Sequence, residues 1–177
     1  MTWDDELATL FADLERQAEA LYGEERAAEL ADRSRAEYAT VSLASRLMAS
    51  MGEEVTLDVL GVGSIVGRLD RMGDGWCLIR SLGTDWVVVA EAVAALRGAS
   101  ERAVPEAAWS PLTRLGVGST LRGLAAASAR CVVHRRDGAR HEGVLDRVGA
   151  DFVEVRPEVG RVQLVSYASL AAVASRD

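Results

Sequence analysis

A chain of 177 residues that is 49% hydrophobic carries enough apolar material for a real core, in one domain or two, which excludes disorder of the whole chain. All 20 basic residues are Arg and the net charge is −7, with the acidic excess confined to residues 1–40, which hold eleven acids against four Arg; residues 41–177 hold sixteen of each. Such a balance argues against coating nucleic acid, whose non-specific affinity comes from cations neutralising phosphates, while leaving room for a local basic patch.

Residues 1–40 read as an acidic helical arm. Thr2 followed by Asp5 fits an N-cap with an acid in the first turn, and Trp3, Leu7, Leu10, Phe11, Leu14, Ala18 and Leu21 recur at three- and four-residue steps. Gly23 interrupts that stripe, and "EERAAELADRSRAEYAT" beyond it keeps helix formers with a thinner apolar face, which predicts a second, more exposed helix. The stripe must be buried against the rest of the chain or against another chain, so Trp3, Leu7, Leu10, Phe11, Leu14 and Leu21 are candidate partner-binding residues. No basic segment leads into an apolar one at the N-terminus and no apolar run approaches the ~18 residues of a membrane span, so a cytoplasmic protein without membrane association is expected.

A short amphipathic stretch follows, "SLASRLMASMG", with Leu43, Leu47, Met48 and Met51 on one side. From Glu53 the pattern changes to alternation punctuated by Gly, through "GRLDRMGDGWCLIR", and then "DWVVVAEAVAALRG" reads as a strand, a turn and a last strand. Residues 99–117 carry Pro105 and Pro111 and read as a linker, with Trp109 packing on one of the flanking domains.

The chain then repeats itself. With an offset of 76, "GRLDRMGDGWCLIR" from Gly67 matches "GVLDRVGADFVEVR" from Gly143 at six of fourteen positions: Gly67/Gly143, Leu69/Leu145, Asp70/Asp146, Arg71/Arg147, Gly73/Gly149 and Arg80/Arg156. Upstream Arg46 meets Arg122 inside the short helix, and downstream a one-residue shift aligns "VAALRG" with "LAAVAS". A duplicated unit of one short helix and about five strands follows, at residues 41–98 and 118–175. Gly67 and Gly143 suit a sharp bend in a short strand, and Gly73 and Gly149 a turn with positive φ.

Chemistry-bearing groups are sparse. Arg130, His134, Arg135, Arg136, Arg140 and His141 surround Asp137-Gly138, so a hairpin there is a candidate cationic lip for RNA or another anion, or for docking the acidic arm. The two His lack partners at metal-ligand spacing, the Ser residues lack a nucleophile elbow, and "GVGSIVG" lacks the Lys-Ser/Thr of a phosphate loop. Each of Asp70 and Asp146 is followed by its own Arg in a turn, which makes duplicated structure the simpler reading than paired catalytic carboxylates. Cys77 and Cys131 occupy non-equivalent places in the repeats and read as buried thiols. No catalytic residue, cofactor, metal or small-molecule substrate is expected.

A short helix, five bent strands, and an Asp-Gly turn followed by Gly143-x-Leu145, as in "VVHRRDGARHEGVLDRVGADFVEV", resemble the Sm-like family of small β-barrels. The layout of helix plus tandem barrels is also similar to that of proteins from actinobacteria, in keeping with the Arg-only, Ala- and Gly-rich composition. The resemblance implies an α+β fold with an N-terminal helical arm and two tandem Sm-like, SH3-like barrels. It also implies RNA binding through an Asp and Asn after the second strand and an Arg-Gly before the last. Here Asp74 or Asp151 stands near the first place without an Asn, and Ala90-Glu91 and Tyr167-Ala168 replace Arg-Gly, so that nucleotide pocket is not carried over. The expected role is a non-enzymatic interaction or assembly protein that self-associates or binds a protein partner, with RNA association through the basic hairpin as the alternative.

Overall fold

The structure, a computed structural model, describes residues 3–176; the side chains of residues 4–9 and of Glu24 lie outside the description, and with them the expected cap at Thr2 and Asp5 and the side chain of Leu7. The chain is α+β and divides into two compact units, Met1–Val41 and Ser42–Asp177.

The first unit is one helix, α1 (Trp3–Tyr38). It runs through Gly23 without a break, where two helices were expected. A single interior Gly costs about 1 kcal/mol relative to Ala, and the helix formers on both sides outweigh it. Every described side chain of α1 is exposed. At 1.5 Å per residue the helix is about 54 Å long.

The second unit contains both repeats. Repeat 1 comprises α2 (Leu43–Ala49), β1 (Glu54–Val59), β2 (Gly63–Gly73), β3 (Trp76–Ser81), β4 (Thr84–Val89) and β5 (Val93–Arg97). Repeat 2 comprises α3 (Val117–Ala126), β6 (Arg130–Arg135), β7 (Arg140–Val148), β8 (Phe152–Arg156), β9 (Gln163–Ser166) and β10 (Leu170–Ser175). In each repeat a single 3₁₀ turn, Ala90–Ala92 or Tyr167–Ser169, separates the last two strands. The expected helix plus five strands is thus present twice.

All ten strands join one antiparallel sheet, in the order β5-β1-β2-β3-β4-β10-β6-β7-β8-β9, and that sheet is not closed. Two tandem barrels were expected, with their mutual pairing left open; the strands run on from one repeat to the other, β10 of repeat 2 pairing on one side with β6 and on the other with β4 of repeat 1. Position by position the repeats match in the interior, with Leu57 and Val133, Leu69 and Leu145, and Ile79 and Val155 all buried. The core runs across both repeats.

The duplicated glycines have two different causes. A Cβ on Gly67 would strike the carbonyl of Arg80, and one on Gly143 the carbonyl of Arg156, so both sit where the neighbouring strand's backbone comes too close for a side chain. At Gly73 and Gly149 the expected positive φ is absent. There a Cβ would run into the ring of Trp76 or of Phe152, so the missing side chain makes room for an aromatic plate. Register shifts fall at matching places in the two repeats, between Leu69 and Arg71 and between Leu145 and Val148, and these bulges bend β2 and β7.

The linker is bound to the body. Arg46 Nε donates to the Ser100 carbonyl at 2.6 Å, the Val104 amide to the Ser45 carbonyl at 3.0 Å, and Trp76 Nε1 to the Leu115 carbonyl at 2.7 Å. Trp109 is half-buried and its Nε1 donates to the Val104 carbonyl at 2.9 Å, within the linker itself.

Candidate functional site

The basic hairpin is formed by β6 and β7. Arg136, Asp137 and Gly138 make its turn, with Gly138 at φ +87° and the Ala139 amide donating to Asp137 Oδ1 at 3.1 Å. That turn chemistry follows from Asp-Gly: the carboxylate caps the backbone two residues on, and Gly accepts the left-handed conformation.

The six basic residues do not form one free lip. Arg130 pairs with Glu158 at 3.0 Å and Arg135 with Asp137. Arg136 Nη2 reaches across the repeats to Glu91 at 3.0 Å while its Nε donates to the Leu170 carbonyl at 3.1 Å. His134 is only 7% exposed and lies against Trp86 of repeat 1, ring centroids 5.3 Å apart. Burial, and then the charge of Arg140, hold its imidazole below its ordinary pKa, and its Nδ1 has no hydrogen-bond partner. Arg140 is exposed and His141 half-exposed. These two line a shallow cleft with Arg161, Pro157, Val159 and Gln163, the part of the hairpin whose chemistry faces outward.

The repeated Asp-Arg pairs lie within strands, at the bulges, rather than in turns. Asp70 faces Arg80 on the neighbouring strand at 3.2 Å, with Arg71 farther at 3.9 Å, and Asp146 faces Arg156 in the same way. Arg147 turns instead to Glu154 at 2.9 Å. The matched partners are therefore Asp70 with Arg80 and Asp146 with Arg156, two of the conserved pairs in the repeat alignment that local spacing did not connect. Exposed pairs of this kind are worth ~1 kcal/mol or less.

Cys77 and Cys131 are free and buried, and burial pushes their thiols up to about 12 and about 11. Protonated thiols without solvent access are poor nucleophiles. Among the described residues no three His, Cys, Asp or Glu side chains gather as a metal site, and no helix is long and apolar enough to cross a membrane.

The candidate partner-binding residues of α1 are on its surface: Trp3, Leu10, Phe11, Leu14 and Leu21 are exposed, while the side chain of Leu7 lies outside the described residues. Tyr22, Leu30 and Tyr38 add apolar surface that the stripe did not include.

Missed by local reading were the residues that join the repeats, above all Trp86, Glu91 and the run Leu170–Ala174. The signal was present in "LAAVA", an unbroken apolar run where an edge strand would alternate, which marks a strand covered on both faces. No protein-family model matches this chain, and no curated protein matches it.

Proposed function

We propose that the chain is a non-enzymatic, cytoplasmic interaction and assembly protein, in which two Sm-like small barrels form a fused body and α1 is the arm that engages a protein partner. The observation that carries this reading is α1: Leu10, Phe11, Leu14 and Leu21 are each at least half exposed, at 54%, 59%, 50% and 63%. A helix in water draws most of its stability from burying an apolar face, so this face is built to be covered. The surrounding acids favour a partner with basic groups around an apolar seat.

Affinity purification of the tagged full chain from its host, with and without ribonuclease, tests this. The expected result is a ribonuclease-insensitive protein partner that is lost when Phe11→Glu and Leu14→Glu are combined. Recovery of defined RNA instead, sensitive to Arg140→Glu with Arg161→Glu, supports the second reading, an RNA-associated protein. What favours that second reading is the outward cleft holding Arg140, His141 and Arg161.

A further inference from the structure

Three of the chain's four methionines, Met48, Met51 and Met72, line one groove of the second unit, about 440 Å³ in volume, between α2, β2 and the linker. Met72 is buried, whereas Met51 is 40% exposed and the linker side chains Leu112 and Leu115, on the other wall, are 76% and 51% exposed. Unbranched thioethers repack around whatever side chains arrive, which suits a groove that receives the apolar face of a helix.

A difference between the repeats gives this groove its charge. Arg71, which lines it, and Arg147 are counterparts in the duplication. Arg147 is held by Glu154 of β8 at 2.9 Å. The counterpart of Glu154 is Leu78, directly across from Arg71 in the sheet, so repeat 1 has an apolar side chain where repeat 2 has the carboxylate. What remains for Arg71 is Asp70 at 3.9 Å, and that carboxylate is nearer to Arg80, at 3.2 Å. A loosely paired cation on the wall of an apolar groove fits the seat for an acidic, amphipathic segment.

We infer that this groove seats α1 of a second copy of the chain, with Leu10, Phe11 and Leu14 as anchors and Arg71 facing the acids of the helix. The inference rests on the reading of α1 as a partner-binding arm and names the partner. The three anchors lie on one face, and at about 3.6 residues per turn Asp13 and Glu15 fall on its two flanks.

That the helix comes from a second copy follows from length. From Phe11 to Tyr38 α1 runs ~40 Å, at a rise of about 1.5 Å per residue. Even fully extended, the connection from Tyr38 to α2 spans only ~17 Å. Helix α2, at whose end Met48 and Met51 stand, adds ~10 Å. Phe11 is therefore out of reach of its own groove while α1 stays helical. Each copy offers one helix and one groove, so two reciprocal contacts close a two-fold dimer.

The test uses the full chain. Its mass by light scattering should be twice the single-chain 18.9 kDa, and Phe11→Glu with Leu14→Glu, or Leu112→Glu alone, should return it to the single-chain value while it still unfolds cooperatively on heating. Arg71→Glu should weaken the dimer by about tenfold, through a lost attraction and a new repulsion. A short bismaleimide should link Leu14→Cys to Leu112→Cys when the two variants are mixed, and neither variant to itself; the native thiols are buried. Linking in Leu14→Cys alone means that α1 pairs with α1, and overturns the inference. So does a dimer indifferent to Leu112→Glu, or a single-chain mass at every concentration. In that last case the arm and its seat are told apart by affinity purification: a host protein still captured through Phe11 and Leu14 overturns the seat and keeps the arm, and no capture overturns both.

Discussion

At the fifth position of its first strand, repeat 1 carries Asp58 and repeat 2 carries His134. Asp58 lies half-buried in β1 beside the edge strand β5, where Ser64 and then Arg97 hold its carboxyl below the usual carboxylate range. His134 lies under Trp86 inside the joint and is held below its ordinary value by burial. One backbone position thus lies next to an edge strand in one repeat and at a buried seam in the other. The interior residues that shape the sheet stayed alike, while those that decide what meets its edges diverged.

The largest expected effect separates the repeats at their aromatic plates. Trp76→Ala should cost about 3–5 kcal/mol in urea unfolding, because Trp76 is buried and also holds the linker through the Leu115 carbonyl. Phe152→Ala should cost less, since Phe152 is only half-buried and has no such tie. Equal losses would mean the linker contact adds nothing.

Gly67→Val and Gly143→Val should instead behave alike, each losing ~3 kcal/mol through overpacking against a backbone carbonyl. A large difference between them would break the equivalence of the two bends.

The pH dependence should split the fifth-position pair. The unfolded chain binds a proton at His134 at a higher pH than the folded chain does, so stability falls as pH drops below about 6.5. His134→Phe should flatten the melting temperature between pH 7 and 5 relative to the native chain. Asp58 contributes above its ordinary value of 3.8 and loses that contribution as pH falls through its lower folded value. Asp58→Asn should therefore flatten only the acid end, below about pH 4. The smallest effects belong to the duplicated cross-strand pairs: Asp70→Asn and Asp146→Asn should each change stability by ~0.5 kcal/mol, read in the same unfolding experiment.

Much of the scaffold was legible in the chain. The repeat, the strand alternation, the Gly-rich bends and the helix of each unit come from local pattern, and local pattern is what strands and turns obey. The seam was not legible, because which strand lies beside which is a non-local property. "DWVVV" and "LAAVA" announce burial without naming the strand that supplies it. The basic hairpin reads from sequence as four Arg and two His; the partners of three of those Arg, Glu158, Asp137 and Glu91, come from distant or turn positions, and the fold is what brings them within reach. Asp70 was matched to its chain neighbour Arg71 rather than Arg80 because a bulge, invisible in the alternation, re-aims it.

The linker that pins itself to α2 and β3 has a consequence for how the two repeats find each other. Tethering turns the seam into an encounter at fixed, high effective concentration, of the order of mM for short connections, so the paired repeats persist at any dilution.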